Sequence, residues 1–328
     1  MEQQMEQQME AALRDRISAQ QMKTVYHSDI CTVREYKDES CALIQASYAV
    51  FPGITLIYKD YRGAGVTRSV ISPGPNILSI EHCMEGRVEF RMNEECFFLT
   101  AGDVVLRRTD GASRNIHFPA EVHRGININI DLNQVPHCLN CILSDVDVEP
   151  RRLLQKFGLE DRAFHYLRKN KHLSHIFEEF YAIPEPVRRG YLKVKVLEVL
   201  LFLTGMELPE YDDPKRKLSQ AQVRIAKDAH AYLAEHMNEH ITIAELARQF
   251  RVSQTQLKDS FRLVYGTSVQ GFISQLKMKT AATLLHSTDR KIADIAAEFG
   301  YANASKFSTA FQRVMGKTPA QYRMENGS

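Results

Sequence analysis

Three groups of side chains in this sequence have types and spacings that could do chemistry. The first is Cys138 and Cys141, a Cys-x-x-Cys pair preceded by His137. Such spacing serves zinc or a redox couple. A structural zinc needs four ligands, and the other cysteines, at 31, 41, 83 and 96, form no second close pair. Ordinary reduced thiols are the favoured reading. The second group is His82, Glu85, Arg87, Glu89, Arg91, His117 and His123. A metalloenzyme built on a β-barrel would want a His-x-His pair followed by a Glu, and the sequence has no such pair, so no metal site is expected. Arg87, Glu89 and His117 are instead candidates for holding a small-molecule effector, with solvated strand residues as the plainer alternative. The third group is a set of polar side chains repeated on two short segments near the C-terminus. There is no glycine-rich phosphate loop and no serine elbow flanked by glycines. Neither catalysis nor a cofactor is expected.

The third group rests on an internal repeat of about fifty residues. ITIAELARQFRVSQTQLKDSFRLVYGTS (241–268) aligns with KIADIAAEFGYANASKFSTAFQRVMGKTP (291–319). Leu246 and Ala247 match Ile295 and Ala296, and Phe250 matches Phe299. After one inserted residue, Leu257, Phe261 and Gly266 match Phe307, Phe311 and Gly316. In each copy a short helix has an apolar face, and a small alanine lets a second helix approach closely. A tight turn follows, where Gly300 suits a left-handed conformation. Ser253 and Asn303 are good N-caps for the second helix, and Gly266 and Gly316 end it. Helix, tight turn and capped second helix make a helix-turn-helix motif.

Between the copies, SVQGFISQLKMKTAATLLHST (268–288) spreads Phe272, Ile273, Leu276, Met278, Ala281, Leu284 and Leu285 over a wide stripe. A helix so covered can pack against both motifs. Its ~20 residues span ~30 Å, close to the ~34 Å between successive major grooves on one face of DNA. Residues 219–328 carry 14 Lys/Arg and 9 Asp/Glu, or +5, against a chain total of +2. That asymmetry is a mild pointer to a polyanion.

Over 219–323 the sequence resembles the AraC/XylS family of transcription regulators. The resemblance is carried by the A-x-x-F-G-Y segment at 296–301, the F-x-x-x-F spacing of 307–311 and GKTPAQYR at 316–323. It implies two helix-turn-helix units joined by a linker helix, and an N-terminal cupin-like domain that senses a ligand or dimerises the protein. Three positions depart from the pattern. Arg251 stands where Gly is usual, which predicts a turn strained by roughly 1 kcal/mol. Lys277 replaces a usual Arg, and Asp259 a basic or polar residue.

Side chains opposite the apolar faces point outward: Gln254, Thr255, Lys258, Asp259 and Arg262 in the first motif, and Ala304, Ser305, Lys306, Thr309, Gln312 and Arg313 in the second, with the N-cap Asn303 a further candidate for contacting DNA. The resemblance makes Thr255, Lys258, Asp259, Ser305, Lys306 and Thr309 the best base readers. Lys donates to guanine, Asp accepts from cytosine, and Thr does either or touches a thymine methyl. Arg262, Gln312, Arg313 and Lys317 suit phosphates, which position without specifying.

The expected fold class is α+β and multidomain. An N-terminal tail (1–24) is rich in Gln, Glu and Met. Residues 25–135 read as short strands punctuated by Gly and Pro, expected to form the cupin-like β-barrel as sensor domain. A helical dimerisation segment (136–206) follows. Its stripe of Leu192, Val196, Leu200 and Leu203 is either buried in its own domain or shared with a second subunit. A linker (207–218) leads to the all-α DNA-binding domain (219–328) with its two helix-turn-helix units. No secretory signal and no span of roughly 18 apolar residues is present, so a cytoplasmic protein without membrane attachment is expected. Expected partners are double-stranded DNA, a small-molecule effector and a second copy as homodimer, with RNA polymerase a further candidate. A ligand-independent DNA-binding protein is the alternative; a ligand that raises the melting temperature would separate the two. A cupin-like enzyme fused to the DNA-binding part would carry bound metal.

Overall fold

The structure is a computed structural model that describes residues 22–37, 41–63, 66–70, 74–92, 95–110, 114–136, 148–162, 164–208, 217–236, 239 and 241–326. The chain divides into two compact units, Met1–Lys217 and Leu218–Ser328. Residues 1–21, most of the Gln-, Glu- and Met-rich tail, lie outside the described residues, as do Cys138 and Cys141.

The N-terminal unit is an antiparallel sheet in which alternating residues decide what each face buries. Its strands are β1 (Lys23–His27), β2 (Cys31–Lys37), β3 (Ala42–Phe51), β4 (Ile54–Arg62), β5 (Val66–Val70), β6 (Pro75–Met92), β7 (Glu95–Thr100), β8 (Val104–Asp110), β9 (Arg114–Phe118), β10 (Val122–Asp131) and β11 (Phe164–Leu167). The main path runs β1-β2-β3-β4-β10-β6-β8-β11. The long β6 organises it. Its first half lies between β10 and β8, while its second half pairs with β7 and β9, which carries β5.

The change of partners happens at Gly86. Its φ is +83°, and a Cβ there would lie 1.8 Å from the Val122 carbonyl oxygen, so only glycine fits. Two residues before it the ladder shifts register: Arg124 and Gly125 of β10 face Glu85 and Cys83, so Met84 is an extra, bulged residue on β6. That bulge reverses the alternation of β6: Cys83 before it and Val88 and Phe90 after it join the same core cluster.

Among the described residues the strands do not close into the expected cupin-like barrel. Among the described residues β1 pairs only with β2 and β11 only with β8, so the sheet has two open edges. All five residues of β1 are exposed, leaving that strand no apolar face to drive closure.

Three helices cover one face: α1 (Pro150–Lys156), α2 (Lys171–Glu179) and α3 (Arg188–Gly205). Ile126, Ile128 and Ile130 of β10 pack there with Leu78, Ile80, Phe177, Val196 and Leu200. The α3 stripe Leu192, Val196, Leu200 and Leu203 is thus buried within its own unit. Lys195, also buried, is paired with Glu179 and with Glu198 at 2.6 Å. Tyr191, Val194 and Leu201 stay exposed.

The C-terminal unit is helical. Its helices are α4 (Gln220–Glu235), α5 (Ile243–Gln249), α6 (Gln254–Tyr265), α7 (Val269–Ser287), α8 (Ile292–Glu298), α9 (Ala304–Met315) and α10 (Pro319–Asn326). Two cores form. Leu246, Ala247, Leu257, Phe261 and Val269 belong to one, with Phe272 and Ile273 against it. Met278, Ala281, Ala282, Leu285, Ile295, Ala296, Phe307 and Phe311 build the other. The two halves of α7 therefore serve different motifs.

Candidate nucleic-acid interface

Each motif closes its turn with the same backbone bonds. Val252 N donates to Ala247 O at 3.0 Å, and Tyr301 N to Ala296 O at 2.9 Å. The left-handed residue inside that turn is Arg251 (φ +55°) in the first motif and Gly300 (φ +82°) in the second. Arg251 thus adopts the conformation that its place in the sequence predicts, with a side chain that favours it less.

The second helices are then capped. Ser253 Oγ accepts from Gln256 N at 3.1 Å, and Asn303 Oδ1 from Ser305 N at 2.7 Å. α6 and α9 both end at left-handed glycines, Gly266 (φ +76°) and Gly316 (φ +78°). These caps set how far each helix projects before its polar face begins.

On that face every expected reader is exposed: Gln254, Thr255, Lys258, Asp259 and Arg262 on α6, and Ser305, Lys306, Thr309, Gln312 and Arg313 on α9, flanked by Asn303 and Lys317. Among the described residues Lys258, Asp259, Arg262, Lys306 and Arg313 make no ion pair, so their charges are available. Three residues are partly committed. Lys317 pairs with Glu325, and the Thr309 hydroxyl donates to Ser305 O at 3.0 Å, which leaves it an acceptor and a methyl. Asn303 spends its carbonyl on the cap and keeps its amide donors.

α7 ties the second motif in place. Lys277 Nζ donates to Phe299 O, at the end of α8, at 3.2 Å. Arg323 of α10 donates to Leu285 O at 3.4 Å and to Arg290 O at 2.6 Å. Burial lowers the Lys277 pKa, consistent with a cation tucked against α8. The expectation for this position concerned Lys in place of Arg, and the single carbonyl bond needs only one donor.

The expected effector residues come together differently. Glu89 and His117 are cross-strand neighbours on β6 and β9, and both are buried; Arg87 lies two residues before Glu89 on the same side. Because the alternation of β6 reverses at the Met84 bulge, this trio faces away from the core that holds Val88, Phe90, Ile116 and Phe118. Sequence reasoning missed a different polar set, on the inward side: Lys59, Ser79, Glu81, Arg107, Asn127 and Asn129. Burial raises the Glu81 pKa, but Lys59 (3.5 Å) and Arg107 (4.0 Å) outweigh it and hold the carboxyl below its ordinary value. The only signal in the sequence was the alternation of Asn and Ile in GININI (125–130). Among the described residues no cluster of His, Cys, Asp or Glu could hold a metal, and no helix is long and apolar enough to cross a membrane.

Paired helix-turn-helix motifs sharing one linker helix, with free cations on both second helices, define a DNA-binding regulator. Comparison with known proteins agrees. A helix-turn-helix domain family matches residues 246–325. The regulatory protein SoxS of Escherichia coli K12 is 33% identical over 100 residues, 30% of this chain and 94% of SoxS. The transcriptional regulator ExsA of Pseudomonas aeruginosa is 29% identical over 138 residues, 42% of this chain and 48% of ExsA. The solved C-terminal domain of AraT from Geobacillus stearothermophilus is 32% identical, covering 32% of this chain and 87% of that domain, at a TM-score of 0.31. The chain belongs to the AraC/XylS family of transcription regulators.

Proposed function

We propose that the protein is a homodimeric, cytoplasmic regulator whose two motifs read one bipartite DNA site under the control of a small-molecule effector held in the N-terminal unit. The observation that carries the DNA part is the placement of Thr255, Lys258, Asp259, Ser305, Lys306 and Thr309 on two exposed faces joined by the 19-residue α7. A helix of that length spans ~28 Å, near one turn of the duplex. Those six read bases, while Arg262, Gln312, Arg313 and Lys317 bind phosphates, and Gln254 and Asn303 contact DNA at the helix starts. An effector would act by linkage, changing DNA affinity only as far as it favours one state of the protein. An activator of this kind would also touch RNA polymerase.

The dimer reading rests on α3 and the residue before it. Val187, Tyr191, Val194 and Leu201 are exposed apolar residues spaced four, three and seven apart, the pattern of an a/d seam. Val194→Glu should then shift the protein from dimer to monomer in sedimentation equilibrium; an unchanged mass would remove this seam.

The experiment for the whole reading is selection of genomic DNA fragments by the purified protein at two salt concentrations. Enrichment of a site with half-sites about one turn apart is expected. Sequence-blind binding that vanishes with added salt would remove the specific reading.

A further inference from the structure

We propose that the inward polar side of the N-terminal sheet is the effector site, and that it takes a compact hydroxylated carboxylic acid. This rests on the effector reading above and gives it a place and a ligand chemistry. The residues are Lys59 on β4, Ser79 and Glu81 on β6, Arg107 on β8, and Asn127 and Asn129 on β10. Register places them side by side: Asn127 opposite Glu81, Asn129 opposite Ser79, and Ser79 opposite Arg107.

Buried polar groups in folded proteins are nearly always hydrogen-bonded. Here Ser79 Oγ, Glu81 Oε2, Arg107 Nε, Asn127 Oδ1 and Asn129 Oδ1 are all sealed from solvent, and none has a hydrogen-bond partner among the described residues. Ser79, Glu81 and Asn127 are each at least 96% buried. One such atom is a local cost; five on adjoining strands of one face is a set of complementary groups waiting for a polar guest.

The chemistry of that guest follows from the set. Among the described residues of this set two cations face one carboxylate, an excess of one positive charge. Arg107 has its Nε unused and its guanidinium 6.0 Å from the Phe90 ring centroid, and a guanidinium can bind the oxygen edge of a carboxylate. The Asn127, Asn129 and Glu81 oxygens accept, and so call for hydroxyl donors; Ser79 does either. A carboxylate bearing several hydroxyls satisfies both demands, whereas a polyol lacks the charge and a fatty acid the donors. The same face continues into Tyr61, Cys83, Val105 and Phe118, which bounds the polar region on one side.

The test uses the full chain and isothermal titration calorimetry with glycerate, threonate and gluconate. Glycerol, sorbitol and hexanoate serve as controls. At least one acid should bind saturably, with the controls weaker by about tenfold or more. Arg107→Gln should weaken that acid by about tenfold. Should Arg107→Gln fail to fold, Ser79→Ala carries the test: it removes an unpartnered hydroxyl, so its unliganded melting temperature should hold or rise while acid binding weakens about threefold. No saturable binding by any of the three acids, equal binding by sorbitol, or binding indifferent to both substitutions would overturn the proposal. Affinity for the selected DNA separates the two readings. An acid that binds through Arg107 yet leaves DNA affinity unchanged keeps the site and removes its role as effector. A different small molecule that shifts DNA affinity equally in wild type and Arg107→Gln keeps the effector and removes this site.

Discussion

Between Ala247 and Val252 the first motif makes the same long backbone bond that the second makes between Ala296 and Tyr301, yet the left-handed residue is Arg251 in one and Gly300 in the other. The helix starts differ too. Thr242 caps α5 in a reciprocal box with Glu245, at 3.2 Å and 2.8 Å, while α8 begins at Lys291 with no side-chain cap. What the motifs share is the buried pair behind them: Leu257 and Phe261 in one, Phe307 and Phe311 in the other, all fully buried. The comparison teaches that packing against α7 dictates the turn, and that local turn and cap chemistry tunes stability around it.

The largest expected effect tests the shared part. Phe261→Ala and Phe311→Ala should each cost about 3–5 kcal/mol in denaturant unfolding. A small loss at either site would mean that its motif is not held by this core. Next come the readers. Lys258→Ala and Lys306→Ala should each cost about 1–3 kcal/mol of binding, each confined to its own half-site when that half is mutated in turn. Asp259→Ala should relax base preference in one half only; unchanged preference in a selection experiment would take Asp259 off the list of readers.

The caps give a smaller difference. Thr242→Ala should lower stability by about 1 kcal/mol, while Lys291→Ser should raise it by about 0.5–1 kcal/mol, since α8 has a cap to gain. Opposite signs sharpen the contrast, and equal signs would dissolve it. The smallest effect is at the turns. Arg251→Gly should stabilise by up to about 1 kcal/mol, and Gly300→Ala should destabilise by a similar amount, both read from the denaturation midpoint.

Much of the C-terminal unit was legible in the sequence because its determinants are local. Ser253, Asn303, Gly266 and Gly316 announce where helices start and stop, and the repeat shows which faces are inward. Even the strained turn at Arg251 could be anticipated from its partner Gly300. The N-terminal unit was legible only as strands. Whether a sheet closes depends on edge strands such as β1, whose composition does not reveal its partners. The reversal on β6 rests on the bulged Met84, and the need for glycine at 86 on the Val122 carbonyl, a contact across 36 positions of chain. Arg87, Glu89 and His117 stand out by residue type alone, whereas Lys59, Glu81 and Arg107, scattered over three strands, have no spacing that groups them. The α3 stripe was read correctly as apolar, but its sequence did not say that it would be buried at home, with Lys195 brought in under two glutamates.

The split allegiance of α7 has a consequence for how the C-terminal unit folds and breaks. Val269 is committed to the first motif, and Met278, Ala281, Ala282 and Leu285 to the second. A chain cut after Ser287 would bare those four residues to water, and a chain starting at Lys277 would leave Phe261 short of its cover. Neither half is a separable module. Melting of one motif loosens the helix that the other stands on, so the two should unfold together in a single transition, and a protease should find few sites where it can remove one and spare the other.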